Sequence, residues 1–294
     1  MGDSSKTVSL VLGSGGARGL AHIGVIRALE ETNHSIQSIA GCSMGALVGG
    51  IYAAGKLDEY EQWIRNITKM DMVALLDMAW SGGGLVKGDK IIGTLVDLVG
   101  NTKIEELPIP FTAVAADLTR EREVWLNRGP IFDAIRASMS LPLFFTPVSY
   151  KGLHLVDGGV LNPVPIAPTF NDKTDLTIAV NLGGRGGEGV RRKTPEKKAA
   201  DDDRLHKKIA RFIKDLATPD QDEPSGKLGA YAVAAQAFDA MQNTVARQKL
   251  AAYPPDVLIE ISRNACGSFD YDMAEEMIEH GRQVALKRIG QFKG

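Results

Sequence analysis

Between Thr7 and Ala54 the chain runs strand, glycine-rich turn and helix, and then does so again. Thr7 to Leu12 is a short, mostly apolar run of the length of one buried strand. Gly13-Ser14-Gly15-Gly16 interrupts it, and Arg18 to Glu31 follows with Ile23, Ile26, Ala28 and Leu29 as an apolar helical face. Ile36 to Ala40 repeats the strand, Gly41-Cys42-Ser43-Met44-Gly45 the turn, and Ser43 to Ala54 the helix. Parallel neighbours need a crossover between them, and a helix supplies it. The expected fold class is therefore α/β: a three-layer α/β/α arrangement with a mostly parallel central sheet.

Further strands are expected at Phe111 to Ala116, Glu123 to Leu126, Leu153 to Val156, Asp175 to Leu182 and Val257 to Ile261. Helices are expected at Leu57 to Met78, Gly88 to Val99, Ile131 to Met139, Leu228 to Leu250 and Met273 to Ile289. Residues 1–294 read as a single catalytic domain with a core at about 7–182. The stretch 183–226 is polar and charge-rich, and reads as an exposed, partly mobile insertion. Within it 204–217 has amphipathic spacing: Leu205, Ile209, Phe212, Ile213 and Leu216 share one face, and Lys207, Lys208, Arg211 and Lys214 flank the other. The C-terminal helices and strand, 227–294, are expected to pack on the core.

The net charge of −2 excludes an electrostatic footprint for nucleic acid. Two cysteines, Cys42 and Cys266, make no disulfide framework, which favours a reducing, cytoplasmic setting. No stretch reaches the apolar length of a membrane span, so any membrane contact is expected to be peripheral, through 204–217 lying on an anionic surface. The commoner fate of such a helix is to cover the active site or a partner subunit. A homodimer is left open.

Gly41-Cys42-Ser43-Met44-Gly45 has the form of a nucleophile elbow, in which a serine projects from a tight strand-to-helix turn beside the positive end of a helix dipole. A serine that merely caps a helix would read the same. Gly13 to Gly19 is a second glycine-rich strand-to-helix turn, whose amides can face an anion. It does not match a dinucleotide loop, because Arg18 stands where glycine is required, nor a P-loop, which needs Gly-Lys-Ser/Thr. Among His22, His34, His154, His206 and His280 none has catalytic-looking neighbours at a strand end, although His154 comes close to one. Asp157 does: it follows a strand and precedes Gly158-Gly159. A carboxylate made more basic by burial can take a serine proton.

Taken together and in this order, Gly15-Gly16-Ala17-Arg18-Gly19, Gly41-Cys42-Ser43-Met44-Gly45 and Asp157-Gly158-Gly159 resemble the patatin-like phospholipase family. A fourth segment, Ala137 to Pro142 followed by Phe144, Phe145 and Pro147, matches as well. Met241 to Asp256 is similar to bacterial members related to the neuropathy target esterase catalytic domain. The resemblance implies a serine lipid acyl hydrolase with a Ser43–Asp157 dyad and an oxyanion held by amides of Gly15, Gly16 and Ala17. Arg18, Gly41, Gly45, Gly158, Gly159 and Pro142 would support the site, an acyl lipid would be the substrate, and neither metal nor cofactor would be needed. Ser14, where many members carry glycine, and Cys42, where threonine is common, are the departures; the Cys42 side chain is not expected to need to face the site. A Ser-Asp-His triad using His154, His206 or His280, and a non-catalytic lipid-binding or membrane-docking protein, are the alternatives.

Overall fold

The computed structural model describes residues 5–75, 86–187, 189–192 and 230–292. These form an eight-stranded mixed sheet flanked by helices. β1 (Thr7–Leu12) pairs in parallel with β2 (Ser35–Cys42) on one side and with β7 (Leu176–Gly184) on the other. β7 continues in parallel to β8 (Val257–Ser262), and β2 in parallel to β3 (Phe111–Asp117). Burial on both faces makes β1 nearly apolar throughout, as strands of a covered parallel sheet must be.

The sheet turns antiparallel beyond β3. β4 (Arg122–Leu126) lies against Ala113 to Asp117 on one edge. The other edge is shared: β2 occupies it up to the pair Cys42–Val114, and β6 (Leu153–Asp157) takes over from the pair Asp157–Ala115. β2 and β6 thus run toward each other along one edge of β3 and stop at adjacent residues. A short β5 (Val148–Tyr150) pairs outside β6. Three residues of half-exposed strand leave too little apolar pattern to read from sequence, and β5 was not expected.

The helices are α1 (Ala21–Glu31), α2 (Met44–Ala53), α3 (Leu57–Arg65), α4 (Lys69–Leu75), α5 (Asp89–Val99), α6 (Ile131–Ser138), α7 (Ala230–Ala252) and α8 (Ala274–Gln291). The single helix expected over Leu57 to Met78 is divided at residues 66–68, with Asn66 capping α3 and Asp71 accepting from Thr68 at the start of α4. The start expected at Arg18 is a 3-10 turn, Gly16–Leu20, leading into α1. The amphipathic segment 204–217 lies outside the described residues. Among the described residues no helix is long and apolar enough to cross a membrane.

Candidate active site

Ser43 caps α2 with φ 56° and ψ −122°, an uncommon backbone conformation for a residue other than glycine. The strain is held from both sides. A Cβ on Gly45 would stand 2.0 Å from the Leu12 carbonyl oxygen, so only glycine lets α2 start this close to β1. The Ser43 N–H donates to Ser138 Oγ at 2.9 Å, and that hydroxyl donates to the Val114 carbonyl at 2.6 Å. Ser138 is fully buried and closes the circuit between elbow, α6 and β3.

Asp157 ends β6 at 1% exposure. Its own N–H donates to the Ser140 carbonyl at 2.9 Å, and its Oδ1 accepts the Gly159 N–H at 2.7 Å. A Cβ on Gly158 would stand 2.1 Å from the Val114 carbonyl oxygen, which keeps this turn pressed onto β3. Burial pushes the Asp157 carboxyl up to about 6, against hydrogen bonding from the Ser43 side chain, Gly159 and Cys42 that lowers it. The group is thereby a stronger base than an exposed aspartate while remaining ionised at neutral pH.

The glycine loop follows β1. Gly13 donates to the Val180 carbonyl at 3.0 Å and Ser14 to the Pro163 carbonyl at 2.8 Å. The N–H groups of Gly15 and Gly16 have no acceptor among the described residues. Ala17 corrects the expected donor set: its N–H is taken by the Ser268 carbonyl at 2.8 Å and is not available to an oxyanion in this arrangement. Arg18 is buried and donates from Nε to the Gly15 carbonyl at 3.1 Å, and from its Nη atoms to the Arg263 carbonyl and Ser268 Oγ. These bonds tie the loop to the segment after β8. His22 sits beneath the loop, with Nε2 2.8 Å from the Gly13 carbonyl oxygen. Burial pushes its imidazole down to about 4, so the ring is neutral and Nε2 carries the donated proton.

Ser43, Asp157, Gly15 and Gly16 face one cavity of about 330 Å³. Its other walls are largely apolar, with Leu47, Trp63, Ile64, Ile91, Leu95 and Phe144 among them. The segment expected to line the site contributes Met139, Leu141, Pro142 and Phe145. It also holds the Ser43 and Asp157 backbone through Ser138 and Ser140, contacts its sequence does not announce. No histidine among the described residues lines the cavity: His154 is exposed on β6, and His22 is engaged by the loop. His206 lies outside the described residues. Among the described residues no group of three or more His, Cys, Asp or Glu is placed to hold a metal ion. The side chain of Cys42 does face the site. Its buried thiol faces Asp157, with Sγ 3.7 Å from Oδ1.

The patatin-like phospholipase family model matches residues 10–170, which spans the loop, the elbow and Asp157. The chain belongs to this family. An uncharacterised NTE family protein of Mycobacterium tuberculosis is 38% identical, the match covering 99% of this chain and 94% of that one. The lysophospholipase NTE1 of Cryptococcus neoformans is 34% identical over 60% of this chain, which corresponds to 11% of that much longer protein. The neuropathy target esterase sws of Drosophila melanogaster is 30% identical over 62% of this chain and 13% of its own length. The mycobacterial protein thus matches this chain over nearly its whole length, whereas the fungal and fly proteins match only part of it.

Proposed function

We propose that this protein is a serine lipid acyl hydrolase, of the phospholipase A or lysophospholipase type, working through a Ser43–Asp157 dyad. One observation carries the proposal: a strained, glycine-flanked serine and a buried, basic aspartate line one cavity whose walls are largely apolar. Such a cavity suits a carbonyl carrying a long alkyl chain.

In the first half-reaction Ser43 Oγ bonds to the ester carbonyl carbon as its proton passes to Asp157. The carbonyl oxygen becomes an oxyanion, held by the amides of Gly15 and Gly16, each donor contributing on the order of 3 kcal/mol to the transition state. Collapse breaks the bond to the leaving alkoxide, which takes the proton from Asp157, and the acyl group stays on Ser43. In the second half water attacks the acyl carbon and gives its proton to Asp157. The carbon–Oγ bond then breaks, the fatty acid leaves, and the proton returns to Ser43. The absence of a histidine among the described cavity walls supports a dyad over a triad.

Hydrolysis of a fatty-acyl ester by the wild type, Ser43→Ala and Asp157→Asn tests the proposal, alongside labelling with a fluorophosphonate probe. Both variants are expected to fold and to lose hydrolysis, and Ser43→Ala to lose the label. A folded Ser43→Ala protein with wild-type turnover would sink it. A protein that binds lipid vesicles but neither hydrolyses esters nor takes the label would favour the non-catalytic alternative.

A further inference from the structure

Cys42 occupies the variable position of the elbow, and its side chain is fully buried against Asp157. Val114 and Ala115, neighbours on β3, pair with Cys42 and Asp157 respectively, so two residues 115 positions apart in the chain are set side by side. Both are buried. Asp157 Oδ1 takes the Gly159 N–H at 2.7 Å and the Cys42 thiol at 3.7 Å. A carboxylate oxygen offers two lone pairs, so these two donors fill Oδ1.

The thiol can act only as a donor here. Burial, and then the neighbouring Asp157 charge, push its pKa well above the ordinary cysteine value, so it keeps its proton. It is also a weak donor, which leaves the carboxylate more of its basicity than a hydroxyl would.

We propose that Cys42 is a positioning residue for the proton transfer: its thiol and the Gly159 amide occupy Oδ1 of Asp157, so that Oδ2 is the oxygen that receives the Ser43 proton. The proposal rests on Asp157 being the base. Other ionisable groups around the pair are Tyr271, from the 3-10 turn Tyr271–Met273, and Glu123 on β4, which is bound to Lys249. Cys266 and the Arg18–Asp239 pair lie on the walls of the same cavity. None of these is altered by a substitution at position 42.

The test is a titration of the Asp157 side-chain carboxyl by ¹³C NMR in the full-length wild type, Cys42→Ala and Cys42→Ser. The pH profile of kcat/KM on a short, soluble acyl ester is recorded beside it. Losing a donor disfavours the carboxylate, and a stronger donor favours it. The Asp157 titration is therefore expected to move up by about half a unit in Cys42→Ala and down by about half a unit in Cys42→Ser. The acidic limb of kcat/KM is expected to follow in the same order. A thiol that merely fills space would change the rate alike at every pH and leave the limb where it stands. Titrations that coincide in all three proteins, or that move the same way in both variants, overturn the proposal. The NMR order reads the thiol hydrogen bond without reference to catalysis. If that order appears while Asp157→Asn retains hydrolysis, it is the assignment of Asp157 as base that fails.

Discussion

Replacing Asp157 by Asn should abolish hydrolysis and make the protein more stable at pH 8. Burial moves the carboxyl from its ordinary value of 3.8 to about 6. A rise of about two units corresponds to about 3 kcal/mol, at about 1.4 kcal/mol per unit. As the pH rises the unfolded chain gives up this proton first. Between about pH 4 and pH 6 the folded state then binds more protons than the unfolded state, and stability falls with rising pH. The stability is complete below the unfolded value and is lost by the time the pH has passed the folded one. Asparagine keeps an oxygen for the Gly159 N–H and carries no charge, so it avoids the burial cost at high pH. Allowing for poorer hydrogen bonds to Cys42 and Ser43, the variant should gain about 1–3 kcal/mol at pH 8. For a chain of this size that is a rise in melting temperature of about 2–6 °C. Calorimetric or circular-dichroism melts of both proteins at pH 8 and pH 4, at equal ionic strength, measure it. The advantage should shrink to a small fraction at pH 4, where wild-type Asp157 is protonated in the folded state and partly protonated in the unfolded one. An Asn variant that melts below the wild type at pH 8, or an advantage that is the same at both pH values, would refute the reasoning.

Ser138→Ala strands the Ser43 N–H and the Val114 carbonyl, and should cost about 2–4 kcal/mol, read as a lower urea midpoint, with a lower kcat. Arg18→Met frees the glycine loop from the Gly15 carbonyl and the segment after β8. It should lower kcat by about tenfold to a hundredfold with little change in KM, in steady-state kinetics on a short ester. Leu143 has φ 70° at the cavity wall, so Leu143→Val should lower stability by about 1–2 kcal/mol in thermal melts whereas Leu143→Gly should lower it by less. The pH profile of kcat/KM should climb about tenfold per unit below about pH 6 and then level off as Asp157 ionises, and a profile still rising above pH 7 would point to another base.

The glycine loop, the elbow and the Asp157 turn were legible in the sequence because each is a local device: a glycine-rich turn at the end of an apolar run. Their meeting was legible only through family resemblance, since nothing near Leu153 to Asp157 tells that β6 runs antiparallel along the edge β2 has vacated. The contacts hidden from sequence are those made over long separations. Ala17 spends its amide on Ser268, contributed from beyond β8. Cys42 meets Asp157 only because β3 pairs with both. Ser138 lies in a segment whose importance was visible, but its hydroxyl serves two backbone groups from two other elements, and no spacing encodes that.

Because β3 carries Cys42 beside Val114 and Asp157 beside Ala115, it acts as a splint on which the elbow and Asp157 are set end to end. An emerging chain can therefore build β1, the loop, β2 and the elbow while Ser43 still has no proton acceptor. On the proposed mechanism, the dyad is complete only when a strand made much later closes onto the splint.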